Sequence, residues 1–308
     1  MNPVLEGIDN EILFCCNIHK LKYENQVHDF ISCFQKEYEY ETEKILEYLR
    51  IDENINLGVD VINKIILKNS WTGWELCDLA PVLKINPLEY FPLAVIAYNA
   101  IHLTDDGIDG HISYESIKCG SYYNYLLENS FCEREASALS GLAGMGILNS
   151  CIKRLNDKNF FDAASIILRL SNYVFTGMFS ESLQKKKLTE DLYFKIIQRK
   201  SVAYQMILDH TFLLNVNQTL RKQLLGITSQ IVKLGQMIDD LVDIDDDSNK
   251  KNFSIINVNG MTKEKLAFKI IEQLNATWSL CKECDNELIN VLALRLRNWI
   301  NIYKSHIN

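Results

Sequence analysis

No proline follows Pro92. The four prolines are Pro3, Pro81, Pro87 and Pro92, so more than 200 residues run on without the side chain that breaks a helix. Only 13 glycines punctuate the 308 residues, and no Pro/Gly/Ser-rich linker, low-complexity tract or internal repeat interrupts them. Long helices joined by short loops are the expected outcome, in one domain spanning 1–308. Apolar periodicity agrees. Phe30, Ile31, Phe34 and Tyr38 mark one helical face, continued by Ile45, Leu46 and Leu49. Ala138, Leu139, Leu142, Ala143, Met145, Ile147 and Leu148, and then Ala163, Ala164, Ile166, Ile167 and Leu170, are apolar on more than one face and predict helices buried in a bundle. The short run Phe253–Val258 predicts the start of a further helix.

Two aspartate clusters about 130 residues apart end apolar helical runs: Asp105-Asp106-Gly107-Ile108-Asp109 and Asp239-Asp240-Leu241-Val242-Asp243. The first and last residues of D-D-x-x-D stack on one helix face, pairing Asp105 with Asp109 and Asp239 with Asp243. Like charges at this spacing repel. Hard cations with oxygen ligands offset that repulsion, and two such pairs on facing helices would hold Mg²⁺ with positions left over for phosphates. The continuation Asp245-Asp246-Asp247 reads as a solvated turn.

In these motifs the chain resembles the trans-isoprenyl diphosphate synthases (polyprenyl synthetases) of the class I isoprenoid synthases. The second cluster is preceded by Gln236, three residues before Asp239, as in that family, although Val232 stands at the family's glycine. Between the clusters, Lys200-Ser201 resembles the family's Lys-Thr pair, and Lys250 fits the lysine placed after the second motif. The resemblance implies an all-α, isoprenoid-synthase-type helical bundle around a deep central cavity and a homodimer. It implies metal binding by Asp105, Asp106, Asp109, Asp239, Asp240 and Asp243, with about three Mg²⁺ ions gripping the diphosphate of an allylic substrate. Asp105, Asp109 and Asp239 would be direct ligands, while Asp106, Asp240 and Asp243 would act through water or neighbouring groups. Lys200, Gln236 and Lys250 would bind the diphosphate.

The departures are equally specific. Elongating members hold isopentenyl diphosphate with a Gly-Lys-Arg segment upstream of the first motif and an Arg pair after it. Here the upstream stretch is Lys68-Asn69-Ser70-Trp71-Thr72-Gly73-Trp74-Glu75, and the later one reads Ser113-Tyr114-Glu115-Ser116. A diphosphate needs several cationic donors, so a standard isopentenyl site is not expected unless Lys64, Lys68 or Lys118 converges on the same volume. The reading is therefore an enzyme that ionises an allylic prenyl diphosphate and then cyclises the cation or passes it to an unusual acceptor. Conventional elongation is the alternative, and a non-catalytic synthase-like subunit is a third reading. Ala100 and Ile101, before the first motif, leave out the bulky aromatic that shortens the tail pocket in relatives. That predicts a substrate or product of roughly fifteen carbons or more, unless Tyr98 or Phe91 closes the pocket.

Charge and cysteine usage narrow the setting. A net charge of -8 argues against nucleic acid and anionic membrane surfaces. Lys185-Lys186-Lys187 reads as a solvated loop. Nine irregularly spaced cysteines, no signal peptide and no transmembrane run predict a cytoplasmic protein with free thiols. Cys281-x-x-Cys284 stands alone, and His102, His111 and His210 have no ligand-like partners, so all are expected to be structural.

Overall fold

The computed structural model describes residues 3–48, 58–109, 121–183, 188–244 and 253–307. These residues are helical throughout, without a strand. The long helices are α1 (Pro3–Glu47), α5 (Phe91–Asp109), α7 (Glu133–Asp157), α8 (Phe161–Ser182), α11 (Gln218–Val242), α12 (Lys263–Cys281) and α13 (Asn286–Ile307). Shorter ones are α2 (Val59–Lys68), α3 (Trp74–Cys77), α4 (Leu79–Leu83), α6 (Tyr122–Glu128), α9 (Glu190–Ile197) and α10 (Ala203–Phe212). A π-helical turn, Gln198–Val202, joins α9 to α10. Phe253–Val258 does not begin a helix as expected: Ile255–Asn257 is one 3₁₀ turn. The reason is that Ser254 is extended, and the Ile255 amide is taken by a side chain instead of a helical carbonyl.

Local sequence starts these helices where polar side chains meet free backbone amides. Thr189, Asn217 and Thr262 accept from the first turns of α9, α11 and α12, and Glu135 reaches back to the Cys132 amide ahead of α7. Pro92 lies in the first turn of α5, where its missing N–H costs nothing.

Buried side chains from Leu5 to Tyr303 form one continuous apolar cluster. The crossing of α5 with α7 matters most for the site. At Gly144 of α7 a methyl group would lie 2.4 Å from the Ala100 carbonyl and 2.2 Å from Thr104 Oγ1, so only glycine permits this approach. Ser140 Oγ donates to the Leu103 carbonyl at 2.6 Å across the same contact. The face of α5 bearing Ala100 and Thr104 is thus turned against α7. On the far side, the buried ion pair of Arg295 (α13) with Asp209 (α10) at 2.9 Å, shared with Thr228 (α11), ties three helices together. Burial works against the Arg295 charge, but Asp209 and Glu75 more than offset it and hold its pKa above the ordinary value.

The expectation that α7 is buried on all its apolar faces is not met. Ile147 and Leu148 are interior, but Leu142 is 69% and Met145 38% exposed, and Leu168 and Phe179 on α8, with Leu183 just beyond its end, are also exposed. The physical reason is that α5 and α8 cover only part of the circumference of α7, leaving the remaining apolar stripe to solvent in this single chain. Among the described residues no helix is long and apolar enough to cross a membrane.

Candidate active site

The first cluster sits in the last turn of α5 and the second in the last turn of α11. The element that connects them is the π turn. Its Lys200 places Nζ 2.8 Å from Glu181 Oε2 on α8 and 3.5 Å from Asp105 Oδ1 on α5. The next residue, Ser201, donates its hydroxyl to Gln236 Oε1 at 2.8 Å, and Gln236 Nε2 donates to Asp240 Oδ1 at 2.9 Å. Two consecutive residues therefore touch both aspartate helices, which brings the two motifs to one place.

The π turn depends on a small neighbour. A methyl group on Gly177 of α8 would lie 2.6 Å from the Lys200 backbone nitrogen, so a side chain there would push the turn away. The wider turn rotates successive side chains outward from the α-helical register, and such turns recur at functional sites. Here it directs Lys200 to Asp105 and Glu181 while Ser201 reaches Gln236.

The six aspartates divide by environment. Asp106 and Asp240 are buried, at 2% and 4% exposure, whereas Asp239 and Asp243 are exposed and Asp105 is half-buried. Both oxygens of Asp240 are engaged: Oδ2 accepts from the Tyr193 hydroxyl at 2.8 Å and the Ile255 amide at 2.6 Å, and Oδ1 from Gln236. Asp240 therefore anchors α11 to α9 and to the segment after it. Asp109 lies in α5, but its side chain is outside the described residues, as are Lys250, Asp245–Asp247, Lys185–Lys187, His111, Tyr114, Glu115 and Lys118. Among the described residues, no three His, Cys, Asp or Glu side chains converge closely enough to form a ready metal-binding group. What converges is carboxylate around a cation, Asp105 and Glu181 around the Lys200 ammonium. That is a hard-oxygen donor set of the kind a divalent cation takes.

Glu181 was not singled out by the sequence, because a lone Glu in Ser180-Glu181-Ser182 carries no motif. A second feature lies one to two turns below Asp105, and of its residues the sequence had pointed to Tyr98 but not to Tyr204. Tyr98, His102 and Asp105 share a face of α5, and the Tyr98 ring stacks on Tyr204 of α10 at 3.8 Å between centroids, 9° from parallel. His102 meets both rings edge-on, and the Tyr204 hydroxyl donates to the Tyr98 carbonyl at 2.8 Å. Burial pushes the Tyr98 phenol well above its usual pKa, with Glu75 adding to the effect. His102, expected to be structural, thus belongs to an aromatic cluster beside the acidic site. Phe91 instead packs in the core between Phe34 and Phe212. Upstream, Trp71 and Trp74 are 53% and 38% exposed.

Eight cysteines among the described residues are free thiols, and burial raises the pKa of Cys281 to about 12 and that of Cys284 in the same direction. Neither resembles an activated thiol.

No family model and no curated protein matches the chain. Solved structures do. The geranylgeranyl pyrophosphate synthetase from the archaeon Geoglobus acetivorans superposes with a TM-score of 0.61 at 15% identity, over 89% of this chain and 98% of that one. A polyprenyl synthase from Caulobacter crescentus CB15, solved with calcium and isoprenyl diphosphate, gives 0.61 at 12% identity, over 88% and 97%. The fold is that of the trans-isoprenyl diphosphate synthases: an all-α isoprenoid-synthase bundle.

Proposed function

We propose that the chain is a single-domain, Mg²⁺-dependent class I isoprenoid synthase acting on an allylic prenyl diphosphate. The observation that supports this reading is the pairing of Lys200 with Asp105 and Glu181, next to Ser201 bound to Gln236, so that two consecutive residues of one turn contact the helices carrying the two motifs. Asp105, Asp109 and Asp239 would hold the metal, with Asp243 and Asp106 in support and Asp240 keeping α11 in place. When bound, Mg²⁺ supplies Lewis-acid stabilisation of the diphosphate leaving group.

The chain's own residues do the rest. Lys200 turns from carboxylates to diphosphate oxygens as the substrate enters, and Lys250 would add a second cationic donor, as the sequence resemblance implies. Gln236, oriented by Ser201 and Asp240, presents a fixed amide to the same region. The C–O electron pair leaves with the diphosphate, and the allylic carbocation is kept from water by the apolar interior beside Tyr98, His102 and Tyr204. Their π faces favour a cation.

The fate of that cation is read from what the upstream segment offers. Trp71, Trp74 and Glu75 supply no cationic donor, which favours cyclisation or an unusual acceptor over addition to isopentenyl diphosphate. Conventional elongation is the alternative, through Lys64, Lys68 or Lys118. A homodimer is supported by the exposed apolar stripes of α7 and α8, around Leu142, Met145, Phe179 and Leu183. Free thiols support a cytoplasmic setting.

Purified protein incubated with Mg²⁺ and geranyl, farnesyl or geranylgeranyl diphosphate should release pyrophosphate, and EDTA should stop the release. No release from any of the three would remove the catalytic reading and leave the synthase-like subunit.

A further inference from the structure

The other side of the π turn carries a groove separate from the acidic site. Lys195 of α9, Arg199 and Val202 of the π turn and Met206 of α10 line it, together with Leu170 of α8 and Leu225 of α11. Its volume of about 730 Å³ is within the range that takes a small ligand. None of the described aspartates of either motif lines it. The charge of the groove runs against that of the protein. Among the described residues its charged linings are Lys195 and Arg199, with His210 also lining it and no carboxylate, in a chain of net charge -8. Arg199 forms no ion pair among the described residues, whereas Lys195 pairs with Asp191 at 2.7 Å. Arg221 and Arg169 lie near enough to disfavour a charge on His210. Asp162 is the acid that acts on Arg221.

We propose that this groove binds a single-chain anionic amphiphile: an apolar tail along Val202, Met206, Leu170 and Leu225, with a phosphate or carboxylate head at Arg199. An apolar lining alone would take any oily molecule. The unpaired guanidinium beside that lining selects a terminal anion, because Arg matches two oxygens of one head group at once. The occupant is a dispersed amphiphile instead of a bilayer, since the anionic protein around the groove would be repelled by an anionic surface.

The test uses dodecyl phosphate below its aggregation concentration, with EDTA present so that metal-dependent binding at the acidic site is removed. Calorimetry should show one saturable site on the intact protein, and no comparable binding of dodecyltrimethylammonium. Gly226 lines the groove, and a methyl group placed on it would meet no atom within 4 Å. Gly226→Leu should therefore fill the groove without a clash, and a leucine in mid-helix is favoured over glycine, so the fold is kept. That change should abolish binding, and Arg199→Glu should weaken it by about tenfold or more. Asp105→Ala with Asp239→Ala should leave it intact. Equal binding of the cationic amphiphile, or binding that survives both groove variants, overturns the proposal. So does binding lost in the aspartate variant, which would place the ligand in the acidic site.

Discussion

The ring of Tyr98 lies flat on that of Tyr204, 3.8 Å between centroids, about two helical turns beneath Asp105. This stack, with His102 edge-on to both rings, occupies the side of α5 that faces the acidic site, whereas Ala100 is turned against Gly144 of α7. The small residues before the first motif therefore do not by themselves open a deep pocket. On the proposed function, Tyr98 and Tyr204 would set the space available to an apolar tail. Tyr204→Ala should shift turnover towards longer allylic diphosphates in a competition between farnesyl and geranylgeranyl substrates. It should also cost about 1 kcal/mol or more in stability through loss of the stacked pair. An unchanged preference in a folded variant would exclude the stack from the substrate's path.

The aspartates should separate into two kinds. Asp105→Ala and Asp239→Ala are expected to lower kcat by roughly 10²–10³-fold while leaving the unfolding midpoint nearly unchanged, because these groups serve charge in the transition state. Asp240→Asn should behave differently. Its carboxylate accepts from Tyr193, Ile255 and Gln236, so an amide in its place leaves a buried donor without an acceptor, at a cost of about 1–3 kcal/mol. Urea unfolding of the variants distinguishes the two patterns. Changes in Asp245, Asp246 or Asp247 should affect neither quantity.

His210 gives a pH signature independent of catalysis. Burial, and then the charges of Arg221 and Arg169, lower its pKa from 6.5 to about 4. The unfolded chain takes up this proton at a higher pH than the folded one. Stability is therefore full above pH 6.5 and falls as the pH drops towards 4, by at most about 3 kcal/mol. His210→Gln should flatten the urea midpoint across that window. An unchanged slope would mean that His210 protonates freely in the folded state.

Isopentenyl diphosphate should be neither consumed nor able to change the product made from an allylic diphosphate. Trp74 and Glu75 stand where elongating enzymes carry a basic pair, and a buried diphosphate without cationic partners is costly to desolvate. Efficient formation of a linear diphosphate one isoprene unit longer would return the protein to the elongating branch.

The helical fold and the placement of the two motifs on helix ends were legible because both rest on local spacing: proline scarcity, 3.6-residue periodicity and D-D-x-x-D. Lys200 and Gln236 were singled out by their order along the chain, and the structure sets them against Asp105 and Ser201 respectively. What sequence could not give was helix rotation. Nothing local tells that α5 turns Ala100 to α7 and Tyr98 to α10, since that depends on Gly144 and Ser140, some 40 residues on. Glu181 was hidden for a related reason. Its link to Lys200 arises only because a π turn changes the register after Ile197, and that turn in turn needs the bare backbone of Gly177. The exposed stripe of α7 shows the converse, that an apolar helix face in the sequence does not say which surface covers it.

α1 is held by residues made more than 260 positions later. Asp9 is bound by Arg297 and Lys304, and Glu11 accepts from the Trp278 indole at 2.7 Å, across a separation of 267 residues. A nascent chain must therefore carry Asp9 and Glu11, beside the apolar Leu5, Ile8 and Ile12, without these partners until the segment from Trp278 onward has been made. Closure of the bundle is then a late, long-range event. Slow folding and a need for chaperone cover during translation follow from where that helix docks.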